Sequence, residues 1–228
     1  MRSQITLQMG LGVLLVAGAT SLATSAHASG DNKDMVLIPK GEFTMGSNEH
    51  SDEVRHQVVL DAYLIDKFEA SDARYKEFMR ATGHPAPAYW DDPRLSKPEQ
   101  PVVGVSWTDA NAFCKWDGKR LPTEAEWEKA ARGEGKRRYA WGEEFVSGYA
   151  NIDGTEDGFR YLAPPGSFES GRSPYGIYDM TGNVGEWVAD AYDENFYRAS
   201  PYRDPKGPDQ GEQRIVRLGS ELVKHDGP

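Results

Sequence analysis

Tyr175-Gly-Ile-Tyr-Asp-Met-Thr-Gly-Asn-Val-Gly-Glu-Trp187 mixes aromatic rings, glycines and oxygen-bearing side chains in one short run. Its apolar positions follow neither the helical period nor the strict alternation of a half-buried strand. Gly176, Gly182 and Gly185 free the backbone for positive φ and close approach. Asp179, Asn183 and Glu186 carry the oxygens that a hard cation accepts. The stretch therefore reads as a rigid turn organised by a metal ion.

Upstream of the turn the chain is regular. Pro122-Thr-Glu-Ala-Glu-Trp-Glu-Lys-Ala-Ala-Arg132 predicts a helix with Pro122 in its first turn, acids near its start, bases near its end and Gly133 as its cap. Ser106 opens a second helix in which Ala110, Phe113 and Cys114 share a face and Asp117-Gly118 closes it. Ser71 caps a third from Asp72 to about Thr82, stopped by Gly83. Met35 to Pro39 predicts a strand, with Gly41 to Gly46 as its hairpin partner. His56 to Ile65 predicts a longer strand, and Val102 to Val105 a buried one. The proline-rich run from His84 to Pro101 reads as a long connection pinned by Tyr89 and Trp90. Beyond Gly133 little regular structure is expected.

The chain has 228 residues, 38% of them hydrophobic and 11% aromatic, which suits one globular domain with a sizeable core. Met1 to Ala28 holds a basic Arg2, an apolar run through Leu11, Val13, Leu14, Leu15 and Val16, and a small-residue end at Ala26-His27-Ala28. That pattern predicts a secretory signal cleaved after Ala28 and a periplasmic or secreted product. Residues 29–34 read as a flexible N-terminus and 35–228 as the domain. No later stretch reaches the roughly 20 apolar residues of a membrane span. Removing the leader takes away one base and no acid, so the net charge moves from −10 to about −11 and argues against nucleic acid as a partner. Cys114 is the one cysteine, so an exported domain of this kind relies on packing or ions rather than an internal disulfide.

Several motifs in fixed order carry a resemblance: Met45-Gly46, Pro101-Val-Val-Gly-Val-Ser-Trp107, Arg120 to Arg132, Trp141-Gly142, Ala150-Asn-Ile152, Tyr175 to Asn183, Glu186-Trp187 and Arg214 to Ser220. From about Met35 to Ser220 the chain resembles the sulfatase-modifying factor family, which includes the formylglycine-generating enzyme. The resemblance implies an α+β domain, compact and irregular, of C-type-lectin-like ancestry and poor in regular secondary structure. It also implies calcium. One ion would sit at Asn151, Ile152, Asp157 and Phe159, the isoleucine and phenylalanine acting through their carbonyls, with Asp153 and Glu156 close by. A second would sit at Asp179, Gly182, Val184 and Glu186. Such oxygen-only sets suit Ca²⁺, although Asp157 and Glu186 could equally bond turn amides.

The resemblance places catalysis further on, where the enzyme holds copper(I) on two cysteines, the soft ligands that ion requires. Ser220 matches the family's active-site serine, but the two cysteine positions are Val223 and Pro228. Leu218 stands for a glycine, and Glu221 and Gly185 for aromatics, and the family's Gly-Phe-Arg signature is missing, so the domain reads as C-terminally shortened. Copper is therefore not expected. Cys114, on an apolar helix face, reads as a buried thiol with a raised pKa. His50, His56, His84 and His225 show no ligand spacing for iron, and no nucleophile elbow, Walker loop or zinc helix is present. Glu124, Glu126 and Glu128 diverge around a helix, with Arg120 and Arg132 placed to pair with them. Two functions remain: a non-catalytic, calcium-stabilised binding or accessory module for a protein or peptide partner, and a family oxidoreductase whose catalytic segment is missing or unrecognised.

Overall fold

The helix starts follow from single hydroxyl residues. In the computed structural model, which describes residues 11–12, 16–17, 34–208, 210–219 and 221–226, Ser71 accepts from the amide of Arg74 and opens α1, Asp72–Thr82, while Gly83 closes it at φ 73°. Ser106 and Asp109 form a reciprocal capping box for α2, Trp107–Trp116. Thr123 and Glu126 do the same for α3, Glu124–Arg132. Thr123 is thus the N-cap, its hydroxyl satisfying an orphan amide, and Pro122, expected in the first turn, stands just outside the helix. A short α4 covers Phe196–Ala199.

Strand pairing departs from the sequence expectation in three places. β3, Met35–Ile38, pairs with β6, Tyr63–Asp66, and β4, Gly41–Met45, pairs with β5, His56–Leu60. β3 and β4 are therefore consecutive without being hairpin partners. The expected single strand from His56 breaks at Asp61, whose amide turns to the Asp204 carboxylate at 2.8 Å. Val102, Val103 and Val105 are buried but form no strand, because Gly104 takes φ +74° against Tyr89 and Ala88.

The third sheet follows the turn. β7, Gly185–Ala191, lies antiparallel to β8, Gln213–Leu218, which pairs with β9, Glu221–Asp226. Within the predicted signal, Leu11–Gly12 forms β1 beside β7 and Val16–Ala17 forms β2 beside β6; the rest of that segment lies outside the described residues. The sheet orders are β1-β7-β8-β9, β2-β6-β3 and β4-β5.

The two larger of three hydrophobic clusters among the described residues hold these elements together. One gathers Ile38, Phe43, Leu60, Ile65, Trp127, Met180 and Val188. The other packs Tyr75, Phe78, Phe113, Cys114, Trp187 and Val216 between α1, α2 and the β7-β8 pair. Every residue of α3 is buried, its charged ones included, so the helix is a central strut and not a surface element. Among the described residues no helix is long and apolar enough to cross a membrane.

Candidate functional site

The turn ahead of β7 is built by backbone conformation. Gly176, Asp179, Gly182 and Asn183 all take positive φ, between 58° and 84°. Asp179 and Asn183 tolerate this better than other side chains because their short polar groups bond locally. At Gly182 glycine is obligatory, since a Cβ would lie 2.2 Å from the carbonyl oxygen of Asn151. Ser173 anchors the turn's start, its hydroxyl accepting from the amides of Tyr175 and Ile177.

Asn183 is the hub. Its amide donates to Asn151 O at 2.8 Å, its Oδ1 accepts from Asn151 Nδ2 and the Ala163 amide, and its Nδ2 donates to Glu69 Oε2 at 2.6 Å. The loop at 151–163 and the turn are thus one bonded unit. Glu186, at the start of β7, accepts from the Trp127 indole at 2.5 Å through Oε2. Asp179 accepts from the Gly166 amide at 2.7 Å.

Three carboxyl groups near the turn are buried: Glu69, Asp179 and Glu186 are 4%, 8% and 1% exposed. Burial pushes Asp179 up to about 6 and Glu186 up to about 8, and it raises Glu69 well above the usual carboxylate range, with Asp179 and Glu186 adding repulsion. One oxygen each of Glu69 and Glu186 is buried without a hydrogen-bond partner among the described residues. Unsatisfied buried oxygens of like charge are costly, and protonation, which the raised values favour, relieves that cost as an oxygen-seeking cation would. Among the described residues no three Asp, Glu, His or Cys side chains close on a single metal point. A cation here would draw on backbone carbonyls such as those of Gly182 and Val184 as well as on carboxylates. Glu69 was invisible in the sequence reading because it sits more than a hundred residues upstream, between β6 and α1.

The other expected ion loop is brought together differently. Both oxygens of Asp157 accept amides, from Ile152 and Phe159, each at 2.9 Å, and Asn151 Nδ2 donates to Tyr161 O at 2.7 Å. Its four residues form one loop whose carboxylate is already satisfied by turn amides. Its donor atoms suit calcium, but no orphaned oxygen demands one.

A second buried polar cluster surrounds α3. Arg217, 1% exposed, reaches Glu124 at 3.0 Å and Glu128 at 3.2 Å and lies over the Trp127 ring. Glu128 also pairs with Arg132 at 2.5 Å and accepts the Gly46 amide, while Arg120 pairs with Glu126 at 2.7 Å. The glutamates of α3 are structural anchors. His84 bonds Asp109 at 2.9 Å and packs on Phe78.

Of the positions that the resemblance matches to a copper site, only Val223 lies among the described residues, on β9. Gly219 takes φ +80° beside Thr181, Val223 stands opposite Val216, and Ser220 and Pro228 lie outside the described residues. Cys114 is fully buried, and burial raises its thiol well above the ordinary value.

Residues 20–226 match the sulfatase-modifying factor enzyme 1-like domain. The chain belongs to that family. A formylglycine-generating enzyme of Streptomyces coelicolor is 34% identical, covering 85% of this chain and 80% of its own length. A mouse protein named inactive C-alpha-formylglycine-generating enzyme 2 is 33% identical over 85% of this chain and 76% of its own. Among solved structures, PvdO from Pseudomonas aeruginosa superposes with TM-score 0.72 at 26% identity, covering 85% of this chain and 90% of that one. These likenesses confirm the irregular α+β fold of the formylglycine-generating enzymes for this family member.

Proposed function

We propose that this family member is an exported, calcium-stabilised binding or accessory module that recognises a protein or peptide partner and does not carry out copper-dependent cysteine oxidation. The observation that carries the second half is the donor set. The positions matching the family's thiol pair are valine and proline, and Cys114 is sealed in the core far from solvent, so nothing offers copper(I) the two thiolates it needs. The first half rests on the leader-like residues 1–28 and on the buried carboxylates of the turn. Residues Asp179, Gly182, Val184 and Glu186 would hold one calcium ion, and Asn151, Ile152, Asp157 and Phe159 another. The ion's contribution is structural: it neutralises buried acids and fixes the turn that leads into β7.

The deciding experiment incubates the purified chain with copper(I), oxygen and a cysteine-containing sulfatase peptide, with mass spectrometry of the peptide as readout. The expected result is an unmodified cysteine. Copper-dependent conversion to formylglycine would instead establish the oxidoreductase reading.

A further inference from the structure

We propose that a cleft beside the start of α3 binds a single carboxylate carried on a short aliphatic body, either a small free acid or the C-terminal residue of a peptide. None of the turn, the 151–163 loop or Val223 lines this cleft, so its occupancy is independent of calcium and copper.

The cleft is open to solvent and holds about 270 Å³, near the lower end for small-molecule sites. Leu60, Leu121, Ala189 and Pro205 give it an apolar wall, and Arg120, Lys206, Asn111, Glu126 and Asp204 give it polar groups. Bonds between distant segments fix its frame. The Ala189 amide donates to Pro122 O at 2.7 Å, and the Asp204 amide to Val59 O at 3.0 Å. Asp204 Oδ1 accepts the Asp61 amide at 2.8 Å. Gly207 approaches Asp190 so closely that a Cβ there would lie 2.7 Å from the aspartate Cβ, which holds the loop carrying Lys206. A cleft built this way takes a ligand at little ordering cost.

Arg120 decides what enters. Its guanidinium carries five N–H donors in a fixed plane. Nη1 donates to Leu121 O and to Glu126 Oε2, and Nη2 donates to Glu126 Oε1. These bonds occupy the end of the fork and lock its plane. Among the described residues the side edge, Nε–H with the second Nη2–H, has no acceptor, and the side chain is 44% exposed. Parallel donors of that spacing match a carboxylate or a phosphate bidentately. Lys206, exposed, adds a second positive charge. Glu126 and Asp204 repel a dianion more than a monoanion, which favours carboxylate over phosphate. The apolar wall favours an aliphatic body over a bare anion.

Isothermal titration calorimetry of the full chain tests this with isocaproate, with the dipeptide acetyl-alanyl-leucine, with the same dipeptide as its C-terminal amide, and with inorganic phosphate. Saturable binding is expected for one or both carboxylates, with the amide and phosphate weaker by about tenfold or more. Tighter binding of the dipeptide assigns the cleft to a peptide end, and tighter binding of isocaproate to a free acid. Lys206→Gln should weaken the carboxylate about threefold to tenfold, with Tm unchanged. Arg120→Lys, which keeps the charge but not the fork, should weaken it about tenfold. Should the Arg120 variant fail to fold, Lys206→Gln carries the test. Absence of saturable binding by either carboxylate would overturn the proposal, as would wild-type affinity in these variants once folded. Phosphate binding as tight as that of the carboxylates would overturn the choice of ligand.

Discussion

Arg217 shows how much one residue can hold in this fold. It is buried, spans Glu124 and Glu128 and lies on Trp127, so Arg217→Ala leaves Glu124 without its base inside the protein and Glu128 with Arg132 alone. That truncation should cost about 3–5 kcal/mol, read as a lowered urea midpoint; a loss below 1 kcal/mol would mean the acids are already neutral or rehydrated. Asp72 gives a pH test. Burial pushes its carboxyl up to about 7, against hydrogen bonds from Ser96 and the Lys97 amide that pull it down. A carboxyl with a folded pKa above its unfolded one is the more easily protonated in the fold. Ionising it therefore erodes stability as pH climbs from about 4 through about 7. Asp72→Asn should be a few degrees more stable than wild type at pH 8, with that advantage gone near pH 4. A difference that does not vary with pH would contradict this. The paired states of Arg120 and Arg132 and the burial of Cys114 were readable from helical spacing. Glu69 was not, because its role depends on contact across a large sequence separation.

Among the elements, the helices were the most legible because their ends are written in local chemistry: Ser71, Ser106 and Thr123 all act as caps. Thr123→Ala removes one half of a capping box and should cost about 1 kcal/mol, measured by denaturant unfolding. Strand pairing was less legible. Met35–Ile38 and Gly41–Met45 look like a hairpin from their spacing, but each finds its partner in the later β6 and β5, a choice set by core packing and not by the intervening residues. Val102 to Val105 has strand composition, and the left-handed Gly104 prevents a strand. The Tyr175–Trp187 stretch was read correctly as a turn in its first part, and β7 begins only at Gly185. Its least replaceable position is Gly182. A Cβ there meets backbone and positive φ together, so Gly182→Ala should destabilise by several times the roughly 1 kcal/mol typical of a substitution. Wild-type stability of the variant in denaturant unfolding would contradict the turn's architecture.

At the scale of the molecule, three small sheets and a fully buried helix are held less by regular hydrogen-bonded structure than by bonded loops. The Asn151–Asn183 contacts and the Arg217–Glu124–Glu128 cluster do what longer sheets do elsewhere. Charged groups inside such a fold need counter-charges, and among the described residues no base acts on Glu69, Asp179 or Glu186. Family membership explains the scaffold, while the proposed loss of copper chemistry is left to the peptide-oxidation assay. The claim that joins these points is that a bound cation completes the fold. Thermal unfolding of the purified chain, with metal content determined on the same sample, tests it most directly. The expected result is bound calcium and a Tm that falls by about 5–10 °C in chelator and returns when calcium is restored at about a hundredfold above its dissociation constant. A chain without calcium, whose Tm is the same in chelator and in excess calcium, would contradict it.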